Sequence, residues 1–211
     1  MTTKTLLIAT RNKSKFKEIL KIIGDLSFRY LTLDEVGYKE DLEETGTTFE
    51  ENARVKAETI GKKLKMLTLA EDSGLMVDAL GGKPGIYSAR YGEGNDRDRV
   101  DKLLKELEGV PQEKRTARFK SVVAIFEPNT GKTSVFEGVT ADGYITSEPR
   151  GNNGFGYDPI FYNPELGKTQ AEATLEEKNK VSHRARALSK ACKYLIEITA
   201  SVRTSGDWFQ R

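Results

Sequence analysis

Apolar residues run without a break through Thr5-Leu6-Leu7-Ile8-Ala9, the pattern of a short strand buried on both faces. The spacing then changes: Phe16, Ile19, Leu20 and Ile23 recur with a helical period, and Gly24 supplies the stop. Phe28 to Leu33 reads as a second strand. Thr47 with Glu50, or Thr48 with Glu51, fits a capping box, and either register opens a helix with Phe49, Ala53, Ala57, Ile60 and Leu64 on one face. Met66 to Ala70 reads as a third strand that ends in Glu71-Asp72-Ser73-Gly74. After a glycine-rich turn around Pro84, Val100, Leu103, Leu104 and Leu107 mark a helix that Gly109 closes. Ala117 to Phe126 is strand-like, and Pro128-Asn129-Thr130-Gly131 turns it into Thr133 to Thr140, a hairpin. Tyr144-Ile145-Thr146 and Pro159-Ile160-Phe161-Tyr162 read as further short strands. Ser182 caps a last helix whose apolar face is Leu188, Ala191, Cys192, Leu195 and Ile198, and the tail from Ser201 to Arg211 reads as loosely held. Early strand–helix alternation followed by an antiparallel hairpin predicts an α/β fold with a mixed sheet.

At 211 residues the chain suits one domain, with two small lobes as the alternative. Hydrophobic residues at 37% and charged residues at 31% furnish a core beneath a charged surface, unlike a disordered composition. Lys plus Arg number 34 against 32 Asp plus Glu, so the net charge of +2 predicts no polyanion partner. Lys13, Lys15, Lys17 and Lys21 do cluster, but a nucleic-acid module needs a basic stripe that acids do not balance. No apolar run approaches the roughly 20 residues that cross a bilayer. A signal peptide is not expected either, because the short apolar N-terminal stretch runs into basic residues. The lone Cys192 allows no internal disulfide, and the lone His183 means that a metal would need oxygen ligands. A cytoplasmic protein is the expectation.

Five segments could carry chemistry. Thr10-Arg11-Asn12-Lys13-Ser14-Lys15 lies between strand and helix, where a helix N-terminus favours phosphate, although Asn12 or Ser14 could simply cap the helix. Glu71-Asp72 could hold Mg²⁺ or position water, and alternation along a strand sends only one of the two into a cleft. A carboxylate from the acidic stretch around Glu43-Glu44 could join Asp72 at the metal. Gly151 to Pro159 surrounds Phe155 and Tyr157 with glycines, which suits an aromatic stacked on a planar base with Asp158 as acceptor, or two aromatics packed into the core. Ser182-His183-Arg184, with Lys178 upstream, offers donors for a purine carbonyl. Together these segments suit a nucleoside triphosphate.

The blocks LLIATRNKSK, EETGTTFEENARVKA, AEDSGLMVDALGGKPGIYSARY, GFGYDPIF and EEKNKVSHR resemble, in that order, the inosine/xanthosine triphosphate pyrophosphatases, over about residues 5 to 200. The resemblance implies hydrolysis of ITP, dITP and XTP to monophosphate and pyrophosphate with Mg²⁺, in a homodimer. It also implies a twisted mixed sheet flanked by helices, in two lobes with the active site in the cleft between them. By position, Asp72 is similar to the catalytic carboxylate and metal contact, and Glu44 to the second metal ligand. Thr10, Arg11, Asn12, Lys13, Ser14, Lys15 and Lys56 are similar to the triphosphate contacts and Ser73 to a substrate contact. Phe155, Gly156, Tyr157, Asp158, Lys178, His183 and Arg184 resemble the base-recognition set. The family often has Gly where this chain has Arg11. Related enzymes acting on dTTP, UTP or modified pyrimidine nucleotides are the nearest alternative, and a non-catalytic nucleotide sensor would lack the acids.

Overall fold

A computed structural model describes residues 4–41 and 44–204. The elements in chain order are β1 (Lys4–Ile8), α1 (Lys13–Ile23), β2 (Phe28–Leu31), α2 (Phe49–Leu64), β3 (Thr68–Val77), α3 (Asp96–Glu106), β4 (Thr116–Phe126), β5 (Thr133–Val139), β6 (Gly143–Ile145), β7 (Phe161–Asn163), β8 (Lys168–Thr169), α4 (Leu175–Val181) and α5 (His183–Thr204). The strands form one mixed sheet in the order β2-β1-β3-β4-β6-β7-β8, with β5 alongside β4. β1 runs parallel to both β2 and β3, and the remaining pairings are antiparallel. No described helix is long and apolar enough to cross a membrane.

Period-two alternation sorts the sheet's side chains between two helical layers. Leu7, Ala70, Val122, Ala124 and Phe126 pack against Phe49, Ala53, Ala57 and Ile60 of α2. Leu6, Ile8, Leu69, Val123 and Ile125 pack on the other face against Ile19 and Ile23 of α1 and Leu188, Ala191 and Leu195 of α5. A third cluster holds the far end of the sheet, where Leu75, Val77, Phe119 and Phe161 meet Val100, Leu103 and Leu107 of α3.

The third strand does not end at Glu71; β3 continues to Val77, because β4 pairs with it from Thr68 through Val77. β1, by contrast, meets β3 only at Thr68 and Leu69, so the edge of β3 beyond Leu69 is left without a strand neighbour on that side. α2 starts in the Thr48 register, with Thr48 Oγ1 accepting from the Glu51 N–H, while the Glu51 carboxylate reaches back to Thr47. Pro159-Ile160 belong to a turn, and the strand there is Phe161–Asn163. The short helix α4, capped by a Thr174–Glu177 box, and the strand β8 are additions. Of the tail, Ser201 to Thr204 continue α5, and 205–211 lie outside the described residues.

Candidate active site

Alternation along β3 places its two acids on opposite faces. Asp72 shares the side of Ala70 and looks toward α2. Its Oδ2 accepts from Asn52 Nδ2 at 3.0 Å, and its Oδ1 from the Ser73 backbone N–H at 3.0 Å. Lys56 stands one turn beyond Asn52 on the same helix face. Its Nζ lies 3.9 Å from Asp72 Oδ1 and donates to Glu44 Oε1 at 2.7 Å and to the Glu71 carbonyl at 2.9 Å, on the open edge of β3. Arg90 donates to the second Glu44 oxygen at 2.5 Å. Burial raises the Asp72 pKa above the ordinary carboxylate value, although Lys56 and Lys15 pull against it. Burial also opposes the Glu44 charge, but Lys56 and Arg90 hold that carboxyl below its usual value.

Among the described residues no group of three or more Asp, Glu, His or Cys side chains converges as a metal cage. What converges is Glu44 and Asp72 around one ammonium. Two hard oxygen donors fit Mg²⁺, which fills its remaining positions with waters and substrate phosphates. Glu43 lies outside the described residues.

Glu71 faces the α1/α5 side and anchors a buried charge cluster. Arg184 Nε lies 2.9 Å from Glu71 Oε1, Ser121 Oγ donates to the same oxygen at 2.7 Å, and Lys15 Nζ lies 3.7 Å from Oε2. Arg184 also donates to Glu18 and, at 3.2 Å, to Ser73 Oγ. Lys178 donates to Glu18 Oε1 at 2.8 Å and to Asp158 Oδ2 at 2.6 Å. Charges this deep persist because each finds an opposite partner. Burial opposes ionisation of Glu71, yet Arg184 and Lys15 hold its carboxyl well below the usual range. Burial also works against the Lys178 charge, and Asp158 with Glu18 overcomes it. Glu18 was not legible in advance, since in KSKFKEILK a glutamate among lysines reads as solvated surface.

Beside this cluster opens a pocket of about 260 Å³, lined among others by Phe155, Phe119, His183, Lys178, Arg184 and Ser73. Lys178 Nζ and the Arg184 guanidinium sit 5.0 and 5.6 Å from the Phe155 ring centre. His183 stacks on Phe119 with ring centres 4.8 Å apart, and its Nδ1 is buried with no hydrogen-bond partner. Burial and the adjacent Arg184 charge push its pKa well below the usual value, so the imidazole is neutral at pH 7.

The first loop is divided. Lys15 and Asn12 line this pocket, but the Asn12 Oδ1 accepts from the Ser14 and Lys15 N–H groups, so the expected free helix amides are already capped. Thr10 Oγ1 accepts from the Asn12 N–H, and Arg11 turns away to Asp41 and to the Tyr38 and Glu40 carbonyls. Thr10, Arg11 and Lys13 line a separate surface hollow with Leu33 and Asp34, and Ser14 lines another with Gln170. Tyr157 is a core residue, buried in the α3 cluster with its hydroxyl donating to the Ser88 carbonyl. Asp158 is committed to Lys178 and to the Phe155 N–H. Gly154 and Gly156 both hold positive φ, and a side chain on Gly154 would strike Asp158.

The chain is similar to several known proteins, some in sequence and some also in fold. A dITP/XTP pyrophosphatase of Halalkalibacterium halodurans is 50% identical over 191 residues, covering 90% of this chain and 97% of its own. The dITP/XTP pyrophosphatase of Bacillus subtilis is 48% identical over 194 residues, covering 91% and 97%. Among solved structures, the Staphylococcus aureus Ham1 protein superposes with a TM-score of 0.82 at 40% identity, covering 92% of this chain and 99% of that one. A HAM1 protein from Coxiella burnetii gives the same TM-score, identity and coverage. The Ham1 family model matches residues 6–194, and with nearly the whole fold and sequence accounted for, this chain belongs to the Ham1 family.

Proposed function

We propose that this chain hydrolyses ITP, dITP and XTP to the nucleoside monophosphate and pyrophosphate, with water attacking the α-phosphorus. The observation that carries the reading is a pocket holding an aromatic face, an unpartnered neutral His183 and fixed cations, beside a carboxylate pair on Lys56. Its relatives named dITP/XTP pyrophosphatase support the same reaction.

Phe155 offers its ring to the purine. Lys178 donates to Glu18 and Asp158, which leaves a further ammonium N–H for a ligand, and neither Lys178 nor Arg184 can accept a hydrogen bond. A 6-oxo purine therefore suits the pocket, and a 6-amino group would leave a donor unpaired at roughly 1–3 kcal/mol, or about one to two decades of discrimination. Lys15 and Lys56 take the triphosphate. Asp72 orients the attacking water and accepts its proton late, since an ionised carboxylate is a weak base for free water. Mg²⁺, held by Glu44 and Asp72, would neutralise phosphate charge and acidify a water when bound. Most of the acceleration then comes from positioning and charge neutralisation.

The same reading makes the chain one domain of two lobes and a cytoplasmic homodimer. Light scattering on the wild-type protein tests the dimer. The reaction itself is tested by incubating the protein and Mg²⁺ with dITP, XTP, ATP, GTP and dTTP. Pyrophosphate from dITP and XTP is expected; orthophosphate would refute α-attack, and preference for dTTP would refute the base pocket.

A further inference from the structure

We infer that Asp96 is a positioning residue that holds the base-binding loop closed, so that α3, which reads from sequence as a packing helix, sets affinity for the purine. This inference rests on the base reading of the Phe155 pocket.

Asp96 is the first residue of α3, but the helix start does not need it. Asn95 Oδ1 accepts from the Arg97 and Asp98 N–H groups, and Asp98 returns a bond to the Asn95 N–H, which completes a capping box. The Asp96 carboxylate is instead divided. Oδ1 accepts from Arg99 Nη2, and Oδ2 accepts from the Gly156 N–H at 2.8 Å, across sixty residues of chain. Arg99 in turn donates to the Gly94 carbonyl at 3.0 Å, which fixes the fork that aims Asp96. Asp96 and Arg99 both line the pocket that holds Phe155.

The loop needs such a hold. Asn153 ties the start of the loop to the Ala171 and Ala173 carbonyls at 3.0 and 3.1 Å, but beyond it Gly154 and Gly156 both sit at positive φ, a conformation with little intrinsic preference to persist. Asp158 fastens the Phe155 N–H from inside, and Tyr157 fastens to the Ser88 carbonyl. The Gly156 N–H is the next link outward, and the peptide between Phe155 and Gly156 sets where the Phe155 ring lies. A charged acceptor is the strong form of this bond.

The test uses IMP and inorganic pyrophosphate as separate probes of Asp96→Ala and Asp96→Asn, together with hydrogen exchange across 153–158. Asp96→Ala should weaken IMP binding and raise KM for dITP by about ten- to hundredfold, the size of one lost bond to a charged group, with kcat nearly unchanged. Pyrophosphate affinity should not move, because it does not touch the loop. The Gly156 amide should exchange faster in Asp96→Ala, and Asp96→Asn, which keeps one neutral acceptor oxygen for two donors, should recover only part of both losses. Unchanged exchange and unchanged IMP affinity in Asp96→Ala would overturn the inference, as would an equal loss of IMP and pyrophosphate affinity. If exchange rises in Asp96→Ala while wild type binds no IMP, the anchor stands and the base reading of the pocket is what fails.

Discussion

Replacing Glu71 by Gln removes one charge from the buried cluster while keeping its shape. Glu71 meets Arg184 Nε at 2.9 Å and Lys15 Nζ at 3.7 Å, and Arg184 is 1% exposed, so water cannot take over from the lost carboxylate. Gln can still accept from Ser121, so what is lost is the charge pairing. Breaking one partner of a buried pair costs about 3–5 kcal/mol. At roughly 2–4 °C per kcal/mol for a chain of this size, Tm should fall by about 6–20 °C at pH 7. The pH dependence has a definite sign. Burial opposes the folded Glu71 charge, but Arg184 and Lys15 hold its pKa well below the ordinary 4.5. Its stabilisation is therefore full above that ordinary value and is lost as pH falls through the lower folded one. The difference between wild type and variant should be widest at neutral pH and shrink on acidification below the unfolded value. Thermal unfolding followed by circular dichroism from pH 7 to pH 3 measures both. A Tm loss under about 2 °C at pH 7, or a gap that does not narrow in acid, would refute the cluster as a source of stability.

Asp72→Asn should lower dITP turnover by about 10²–10⁴-fold, the usual worth of a proton-transfer group, with nucleotide affinity by calorimetry close to wild type. Lys56→Met removes a charge that pulls the Asp72 pKa down against burial, so the acid limb of kcat/KM should move to higher pH; an unmoved limb would detach Lys56 from Asp72. Gly138→Ala places a methyl 2.1 Å from the His183 carbonyl and 2.4 Å from the Ala187 N–H. Backbone must shift there, so a stability loss of about 1–3 kcal/mol should accompany a raised KM for dITP, read by denaturant melts and steady-state kinetics.

The strand Thr5 to Ala9, the α2 face and the Ala117 to Phe126 hairpin were legible, because apolar periodicity is a local property that each element carries for itself. Alternation also foretold that Glu71 and Asp72 would part, and Asp72 does face Lys56. Glu71 was less legible: without knowing that α5 packs on that side of the sheet, nothing marks it as the partner of Arg184. Tyr157 carried two readings, base stacking and core packing, and only the position of α3 decided for the core.

The sequence by itself determined the mixed α/β character, the order of the five chemical segments and the identity of the acids and bases they bring. Tertiary structure decided which of those groups meet. Glu18 joins Lys178 and Arg184 across 160 and 166 residues, Arg11 leaves the phosphate loop for Asp41, and Asp96 reaches Gly156. The reason is physical: backbone preference and hydrophobic period act within a few residues, whereas a charge's partner depends on which layers stack together. The strength of that pairing depends on how much water the stacking removes.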